Sequence, residues 1–145
     1  MRDDELRPIV VGVDGSAAGA AALRWAAEEA RRHDCPIDAV SVWYMDYGVM
    51  MSPGAAASGL DPESVEAANR SVLDAATADV DGVDVRRILI EGDVKKLLVE
   101  MSRDARMLVV GNRGHSAAVE LLLGSVSAYC VHHASCPVVV IKESS

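Results

Sequence analysis

Short apolar runs alternate along this chain with longer segments in which apolar residues recur at helical spacing. The first helical segment is Ala-rich, and its Leu23, Ala26 and Ala30 share one face. Cys35-Pro36 ends this segment, and an apolar run follows it. The pattern predicts strands at 8–14, 37–43, 85–91, 107–111 and 137–142, and helices at 17–33, 63–79, 94–103 and 126–133.

Strands that alternate with helices predict an α/β fold, with a mostly parallel sheet and helices on both of its faces. No internal repeat or linker interrupts the pattern, so residues 1–145 are expected to form a single domain. Residues 46–62 are rich in Gly, Ser, Ala and Pro and show no regular period. This stretch is longer than most connections, and we interpret it as a loop, either a flexible excursion or a lid.

Composition limits the choice of core and of compartment. Half of the 145 residues are hydrophobic, but aromatic residues make up only 3% and Phe is absent. The core is therefore expected to consist of Ala, Val, Leu, Ile and Met. No apolar run approaches the roughly 20 residues of a membrane span. Residues 2–5, Arg-Asp-Asp-Glu, are all charged, unlike the start of a secretory signal peptide, so a cytoplasmic location without membrane contact is expected.

The charge balance limits the partners. Fourteen basic and 22 acidic residues leave a net charge of −8, which disfavours nucleic acid and anionic lipid. A nucleotide would have to be held locally, by backbone amides and a few side chains. Cys35, Cys130 and Cys136 are odd in number and form no CxxC pair, which indicates reduced, buried thiols.

A spaced glycine pattern carries the strongest chemical signal. Gly111-Asn112-Arg113-Gly114 follows a predicted strand, and nine residues later Gly124-Ser125 precedes a predicted helix. Glycines allow close backbone approach to a ligand, and a helix N-terminus offers unpaired N–H groups to phosphate. In this interpretation Gly111 and Gly114 present amides, Ser125 and Ser127 offer hydroxyls, and Arg113 adds a charge-assisted contact.

A second glycine-bearing strand end is Gly12-Val13-Asp14-Gly15-Ser16. In open α/β sheets, ligands bind beyond the carboxyl ends of the strands where the strand order reverses. If the two strands are neighbours, both glycine segments face one crevice. Asp14 could then accept from ribose hydroxyls or help to hold Mg²⁺, and Val42 could line an adenine pocket.

Simpler interpretations stay open for several of these residues. In these interpretations the glycines are only turn residues, and Asp14-Gly15-Ser16 is only a turn with Ser16 as N-cap. Ser125 is likewise only an N-cap, and Arg113 only a solvated side chain. The chain has no GxxxxGK[ST] and no GxGxxG after its first strand, so P-loop and dinucleotide-binding folds are disfavoured. The spacing of Cys130, His132, His133 and Cys136 fits no zinc pattern.

These motifs together resemble the universal stress protein family, in particular its ATP-binding branch, over about residues 8–142. The resemblance rests on the segment Val10 to Ser16, on Glu91-Gly92-Asp93, and on the G-x2-G-x9-G-[S/T] spacing that starts at Gly111. It implies a five-stranded parallel sheet of order 3-2-1-4-5. It also implies a homodimer that pairs through its last strand, Val138–Ile141. The ATP contacts that it implies are Gly12, Val13, Asp14, Val42, Gly111, Asn112, Arg113, Gly114, His115, Ser116, Ala117, Gly124, Ser125, Val126 and Ser127.

The expected function is therefore that of an ATP-binding regulator or sensor of a stress response, with a protein partner that the sequence does not identify. No nucleophile or general base stands out among the glycine segments, so no catalytic residue is assigned. Two alternatives remain: a slow Mg²⁺-dependent ATPase that uses Asp14, and an interaction protein that works without nucleotide.

Overall fold

A computed structural model describes residues 7–58, 60–112 and 123–142. Two 3₁₀ turns, at Ala56–Ser58 and Ser102–Asp104, accompany the helices. In the described residues the strands are β1 Ile9–Gly12, β2 Ile37–Trp43, β3 Val85–Glu91, β4 Met107–Gly111 and β5 Val138–Ile141. The helices are α1 Ala17–His33, α2 Tyr47–Met50, α3 Pro62–Thr77, α4 Val94–Met101 and α5 Ser125–His133.

The strands form one parallel sheet in the order β3-β2-β1-β4-β5, which confirms the expected order. β1 lies at the centre, with Ile9 opposite Ile37 of β2 and Met107 of β4. The strand order reverses between β1 and β4, because the chain builds β2 and β3 on one side of β1 and later β4 and β5 on the other. In open α/β sheets the ligand crevice lies at such a reversal, so it is expected here at the carboxyl ends of β1 and β4.

Alternating side chains of the central strands pack on opposite faces of the sheet. Ile9 and Val11 join a core with α1 and α3, whereas Val10 joins a second core with α4 and α5. The α1 face contributes small residues, including the fully buried Ala22 and Ala26. These small side chains let α1 lie close to the sheet. Helices on both faces confirm the predicted fold class.

The stretch 46–62 is more ordered than predicted. It contains α2 and a 3₁₀ turn, so the prediction of an irregular loop throughout was wrong. Asp46 caps α2, because its Oδ1 accepts hydrogen bonds from the N–H groups of Gly48 (3.0 Å) and Val49 (3.2 Å). A helix of four residues is too short to show a hydrophobic period, and its polar cap is the only sequence signal that it leaves.

The cysteines are free thiols, as predicted. Cys35 and Cys130 are buried, and Cys136 is half-buried. Burial raises the pKa of all three thiols, and that of Cys130 reaches about 11. The thiols therefore stay protonated and unreactive at neutral pH.

A carboxylate on β2 is held in the α4/α5 face of the sheet by a neighbouring strand. Asp38 is buried, and its Oδ1 accepts a hydrogen bond of 2.6 Å from Nε of Arg86 on β3. Burial raises the pKa of Asp38, while the charge of Arg86 opposes this rise. The guanidinium is half exposed, so the pair belongs to the edge of the sheet rather than to its centre.

Replacing Arg86 with alanine is expected to destabilise the protein in a pH-dependent way. Without the guanidinium, the pKa of Asp38 in the folded state rises further above its unfolded value. Stability is then lost as the pH rises through the folded pKa, because Asp38 releases its proton to solvent and leaves an uncompensated negative charge in a buried site. We expect a loss of about 1–2 kcal/mol at pH 7 and a smaller loss near pH 3.5, measured by urea unfolding.

Arg70→Ala provides the matched control, because Arg70 forms an exposed pair with Glu66 on one helix. Arg70→Ala should lower the free energy of unfolding by only a few tenths of a kcal/mol at neutral pH. Equal destabilisation of Arg86→Ala at both pH values would contradict the role assigned to Asp38.

Candidate functional site

The two glycine-bearing strand ends lie side by side. β1 pairs directly with β4, with Val11 opposite Val109, so Gly12 and Gly111 end neighbouring strands. From these ends the chain turns to opposite faces of the sheet, toward α1 after β1 and toward α5 after β4. The structure thus confirms that the two strands are neighbours at the switch point. A crevice shared by both glycine segments stays a prediction.

The first wall of the crevice is the turn between β1 and α1. Val13 is buried, and its N–H donates to the carbonyl of Val40 (2.8 Å), which fixes the turn to β2. Asp14 is exposed, and its Oδ1 accepts from the N–H (2.9 Å) and the hydroxyl (2.5 Å) of Ser16. Gly15 has a φ of 82°, a left-handed conformation that favours glycine.

Ser16 completes this turn as the N-cap of α1, because its Oγ accepts from the N–H of Gly19 (3.0 Å). The segment Asp14-Gly15-Ser16 therefore forms a turn in which Ser16 is the N-cap. It leaves Asp14 at the edge of the crevice with one carboxylate oxygen engaged by Ser16. Contact of Asp14 with a ribose or with Mg²⁺ stays a prediction.

The second wall is tied together by the backbone of Asn112, which is buried. Its N–H donates to the carbonyl of Ile141 on β5 (2.8 Å). Its carbonyl accepts from the N–H of Gly124 (2.6 Å) and from the hydroxyl of Ser127 (3.2 Å). The chain that leaves β4 is thereby brought back to the start of α5. The Ser127 hydroxyl also lies 3.1 Å from the carbonyl of Gly124, so it points toward backbone.

The N-terminus of α5 differs from those of the other helices. Side chains of Ser16, Asp46, Asp61 and Asp93 cap α1 to α4, respectively. The N-cap of α5 is Gly124, and no side chain of the described residues caps this helix. Ser125 is the first helical residue and not the cap, which corrects one of the alternatives and the predicted start at Val126.

The amides of this helix start are suited to an anion. The first N–H groups of a helix have no acceptor within it. The N–H of Gly124 donates to Asn112, and those of Ser125, Val126 and Ser127 precede the first amide that bonds within the helix, the N–H of Ala128. A helix N-terminus also carries a partial positive charge. The arrangement offers donors without adding a fixed negative side chain.

Gly111 has a packing role that the sequence interpretation missed. A Cβ at this position would lie 2.7 Å from both the carbonyl carbon and the Cβ of Ala18. The α1 backbone therefore crosses the end of β4 at a distance that admits only glycine. Its proposed contact with phosphate stays a prediction.

The remaining predicted site residues divide into two groups. Val42 is half-buried near the end of β2 and packs with the core on the α4/α5 face. Its contact with adenine stays a prediction. Another group lies outside the described residues, so the structure does not place it: Arg113, Gly114, His115, Ser116 and Ala117.

Potential metal ligands are sparse among the described residues. Within residues 7–58, 60–112 and 123–142, no group of three or more His, Cys, Asp or Glu side chains is arranged to hold one. Mg²⁺ in nucleotide sites is commonly bound by one or two carboxylates together with phosphate oxygens. Asp14 fits that limited role and no larger one.

Sequence reasoning also missed a cleft of about 830 Å³ beyond the carboxyl ends of β2 and β3. Tyr47 and Glu91 both line it, and the Tyr47 hydroxyl donates to Glu91 Oε1 at 2.6 Å. Two of the three tyrosines of the chain lie in this cleft, and that clustering was its only signal in the sequence. The lining residues are Tyr44, Met45, Tyr47, Glu91, Gly92, Asp93 and Val94.

The strand order and the helices on both faces define a doubly wound α/β domain whose topological switch point lies between β1 and β4. The chain belongs to the universal stress protein family, whose family model matches residues 5–142. This confirms the resemblance that the glycine spacing indicated.

Curated relatives support the assignment. A universal stress protein of Mycolicibacterium smegmatis is 38% identical over 142 residues, covering 92% of this chain and 47% of the relative. Universal stress protein Rv2005c of Mycobacterium tuberculosis is 32% identical over 142 residues, covering 98% of this chain and 48% of the relative. The chain thus spans about half the length of the curated relatives it matches.

Solved structures show the same fold. UspA from Lactobacillus plantarum is 26% identical with a TM-score of 0.72, covering 93% of this chain and 97% of that one. A universal stress protein in complex with cAMP is 25% identical with a TM-score of 0.66, covering 96% of this chain and 98% of that one. Among the described residues, no helix is both long and apolar enough to cross a membrane.

Proposed function

We propose that this protein binds ATP in the crevice between the ends of β1 and β4, and that bound nucleotide regulates a stress-response partner in the cytoplasm. The observation that carries the proposal is the N-terminus of α5, where no described side chain occupies the first-turn amides. The related structure in complex with cAMP adds support, because its ligand is an adenine nucleotide with a phosphate group.

In this proposal the phosphates lie at the amides of Ser125, Val126 and Ser127 and at the glycine segment that begins with Gly111. The ribose lies at Asp14, and the adenine lies toward Val42. Bound Mg²⁺ would be held by phosphate oxygens with Asp14 as its protein ligand. It would neutralise phosphate charge, which matters in a chain of net charge −8.

We further propose that residues 1–145 act as one nucleotide-binding domain and that two copies pair through β5. This strand lies at the edge of the sheet and is entirely apolar. An edge strand exposes unpaired backbone groups that a second copy can pair with. Sedimentation equilibrium should report a dimer at micromolar concentrations, and a monomer under those conditions would contradict the pairing.

Nucleotide binding is tested first on the protein as purified. Acid denaturation should release an adenine chromophore that chromatography identifies as ATP or ADP. Nucleotide-free protein should then bind ATP more tightly than AMP in calorimetry, because each added phosphate meets further amide donors. Magnesium should strengthen ATP binding, and Asp14→Asn should reduce that gain while changing AMP affinity less.

The same samples distinguish ATP binding without turnover from ATP hydrolysis. We expect no ADP formation above the buffer rate over hours at stoichiometric enzyme. ADP formation that Asp14→Asn abolishes would instead support the slow ATPase. Protein that releases no chromophore and binds no adenine nucleotide would contradict the proposal and leave the nucleotide-independent alternative.

A further inference from the structure

Exposed apolar side chains are concentrated in the segment that follows β2. The large apolar residues with high exposure in this segment are Tyr44, Tyr47, Val49, Met51 and Leu60, and elsewhere in the described residues only Val72 and Val131 compare. Tyr44 is 76% exposed and Met51 is 85% exposed. A concentration of exposed aromatic and apolar side chains in one short segment is typical of an interaction surface.

The cleft beyond β2 and β3 borders this segment, and we call it the acidic cleft. Tyr44 and Tyr47 line it from the segment, and the carboxylates of Glu91 and Asp93 line it from the end of β3. Its lining residues include no lysine, arginine or histidine among the part of the chain that the structure describes.

Both carboxylates are oriented by the fold. Glu91 Oε1 accepts from the Tyr47 hydroxyl (2.6 Å), and this bond raises the pKa of Tyr47. Asp93 Oδ1 accepts from the backbone N–H groups of Lys95 (3.0 Å) and Lys96 (3.4 Å) as the cap of α4. Each carboxylate therefore uses one oxygen in these bonds and has its second oxygen available for a ligand.

Aromatic rings beside carboxylates form a recognition site for an organic cation. A guanidinium group stacks on tyrosine faces and donates in pairs to a carboxylate, which an ammonium group does less well. The net charge of −8 attracts cations and disfavours an anionic ligand at this place. The acidic cleft is thus electrostatically distinct from the α5 N-terminus, where donors face an anion.

We propose that the acidic cleft and the neighbouring exposed Val49 and Met51 form a docking site for a basic segment of a partner protein. One arginine side chain of that segment enters the cleft between Tyr44, Tyr47 and Glu91. Apolar residues that flank the arginine contact Val49 and Met51. A peptide segment is favoured over a free small cation because the charged cleft and the exposed apolar side chains occur together. The proposal does not depend on nucleotide binding.

Three probes test the site on the complete chain by NMR titration without nucleotide. They are the peptide acetyl-Leu-Arg-Leu-Leu-amide, its analogue with neutral citrulline in place of arginine, and arginine amide alone. The arginine peptide should shift the resonances of Tyr44, Tyr47 and Glu91 and bind at least about fivefold more tightly than either other probe. Equal binding of the citrulline peptide, or no shift at these residues, would overturn the proposal. Equal binding of arginine amide would overturn the peptide assignment in favour of a small cation.

Variants of exposed residues test the named contacts without endangering the fold. Glu91→Gln and Tyr44→Leu should each weaken the arginine peptide about three- to tenfold. Glu100→Gln removes the same charge from an exposed position on α4 and should leave the affinity for the arginine peptide unchanged. Tyr47→Phe keeps the ring and releases Glu91 Oε1, so it should bind at least as well as the parent. Undiminished binding by Glu91→Gln would contradict the proposed contact.

Discussion

Replacing Gly111 with alanine is expected to lower the free energy of unfolding by about 3 kcal/mol, the upper end of the range for overpacked cores. The new methyl group would lie 2.7 Å from two atoms of Ala18 and 2.9 Å from its carbonyl oxygen. Two of these three atoms belong to the α1 backbone, so no side-chain rotation relieves the overlap. α1 must move away from the centre of the sheet, where its Ala-rich face is closely packed.

Thermal and urea unfolding measure this loss, with Gly12→Ala as the matched control. Gly12 ends the neighbouring strand, but a Cβ there would meet Leu98 at 3.4 Å and Val110 at 3.7 Å, which are ordinary contacts. Gly12→Ala should therefore change stability by less than about 1 kcal/mol. Similar unfolding midpoints for the two variants would contradict the packing role of Gly111.

This contrast shows what a glycine pattern does and does not reveal. The sequence correctly predicted that Gly12 and Gly111 end neighbouring strands. It assigned Gly111 to phosphate, because the element that approaches it, α1, is distant in the sequence. Close approach between distant segments leaves no local signal, whereas a turn such as Asp14-Gly15-Ser16 is visible in three adjacent residues.

The sheet was predictable for a physical reason. Strands buried on both faces are continuous apolar runs, as in β1 and β4, and their alternation with helices requires parallel crossovers. The order of the strands came from the family resemblance and not from periodicity. α2 and the acidic cleft were missed, because a four-residue helix has no measurable period and the cleft joins residues from the ends of two different strands.

The site was predictable in part. The spacing from Gly111 to Gly124 indicated a strand, a connection and a helix start. The hydrogen bond from the N–H of Gly124 to the carbonyl of Asn112 confirms that α5 begins beside the end of β4. The sequence did not indicate which residue begins α5, because serine and glycine are both common N-caps. That distinction matters, since a capping serine would occupy an amide that the proposed phosphate site requires.

Replacing Ser125 with aspartate is expected to weaken ATP binding about ten- to one-hundredfold while leaving the protein as stable as the parent or slightly more stable. A carboxylate in the first turn of α5 interacts favourably with the helix dipole, by about 0.3–1 kcal/mol. The same carboxylate lies beside the amides that we assign to phosphate, where like charges a few ångströms apart repel by about 1–4 kcal/mol. Calorimetric ATP titration and thermal unfolding of one preparation measure both effects.

Two further variants separate charge from other causes. Ser125→Asn removes the hydroxyl without adding charge, so it should weaken ATP binding by only a few-fold. Ser64→Asp adds the same charge to the first turn of α3, a helix that packs mainly on β2 and β3. Its effect on ATP affinity should be small, because solvent and salt screen exposed charges beyond about 10 Å.

Equal losses in Ser64→Asp and Ser125→Asp would mean that net charge, and not the α5 N-terminus, controls binding. Unchanged ATP affinity in Ser125→Asp would show that phosphate does not bind at this helix, because an anion at its first-turn amides would be repelled by the new carboxylate.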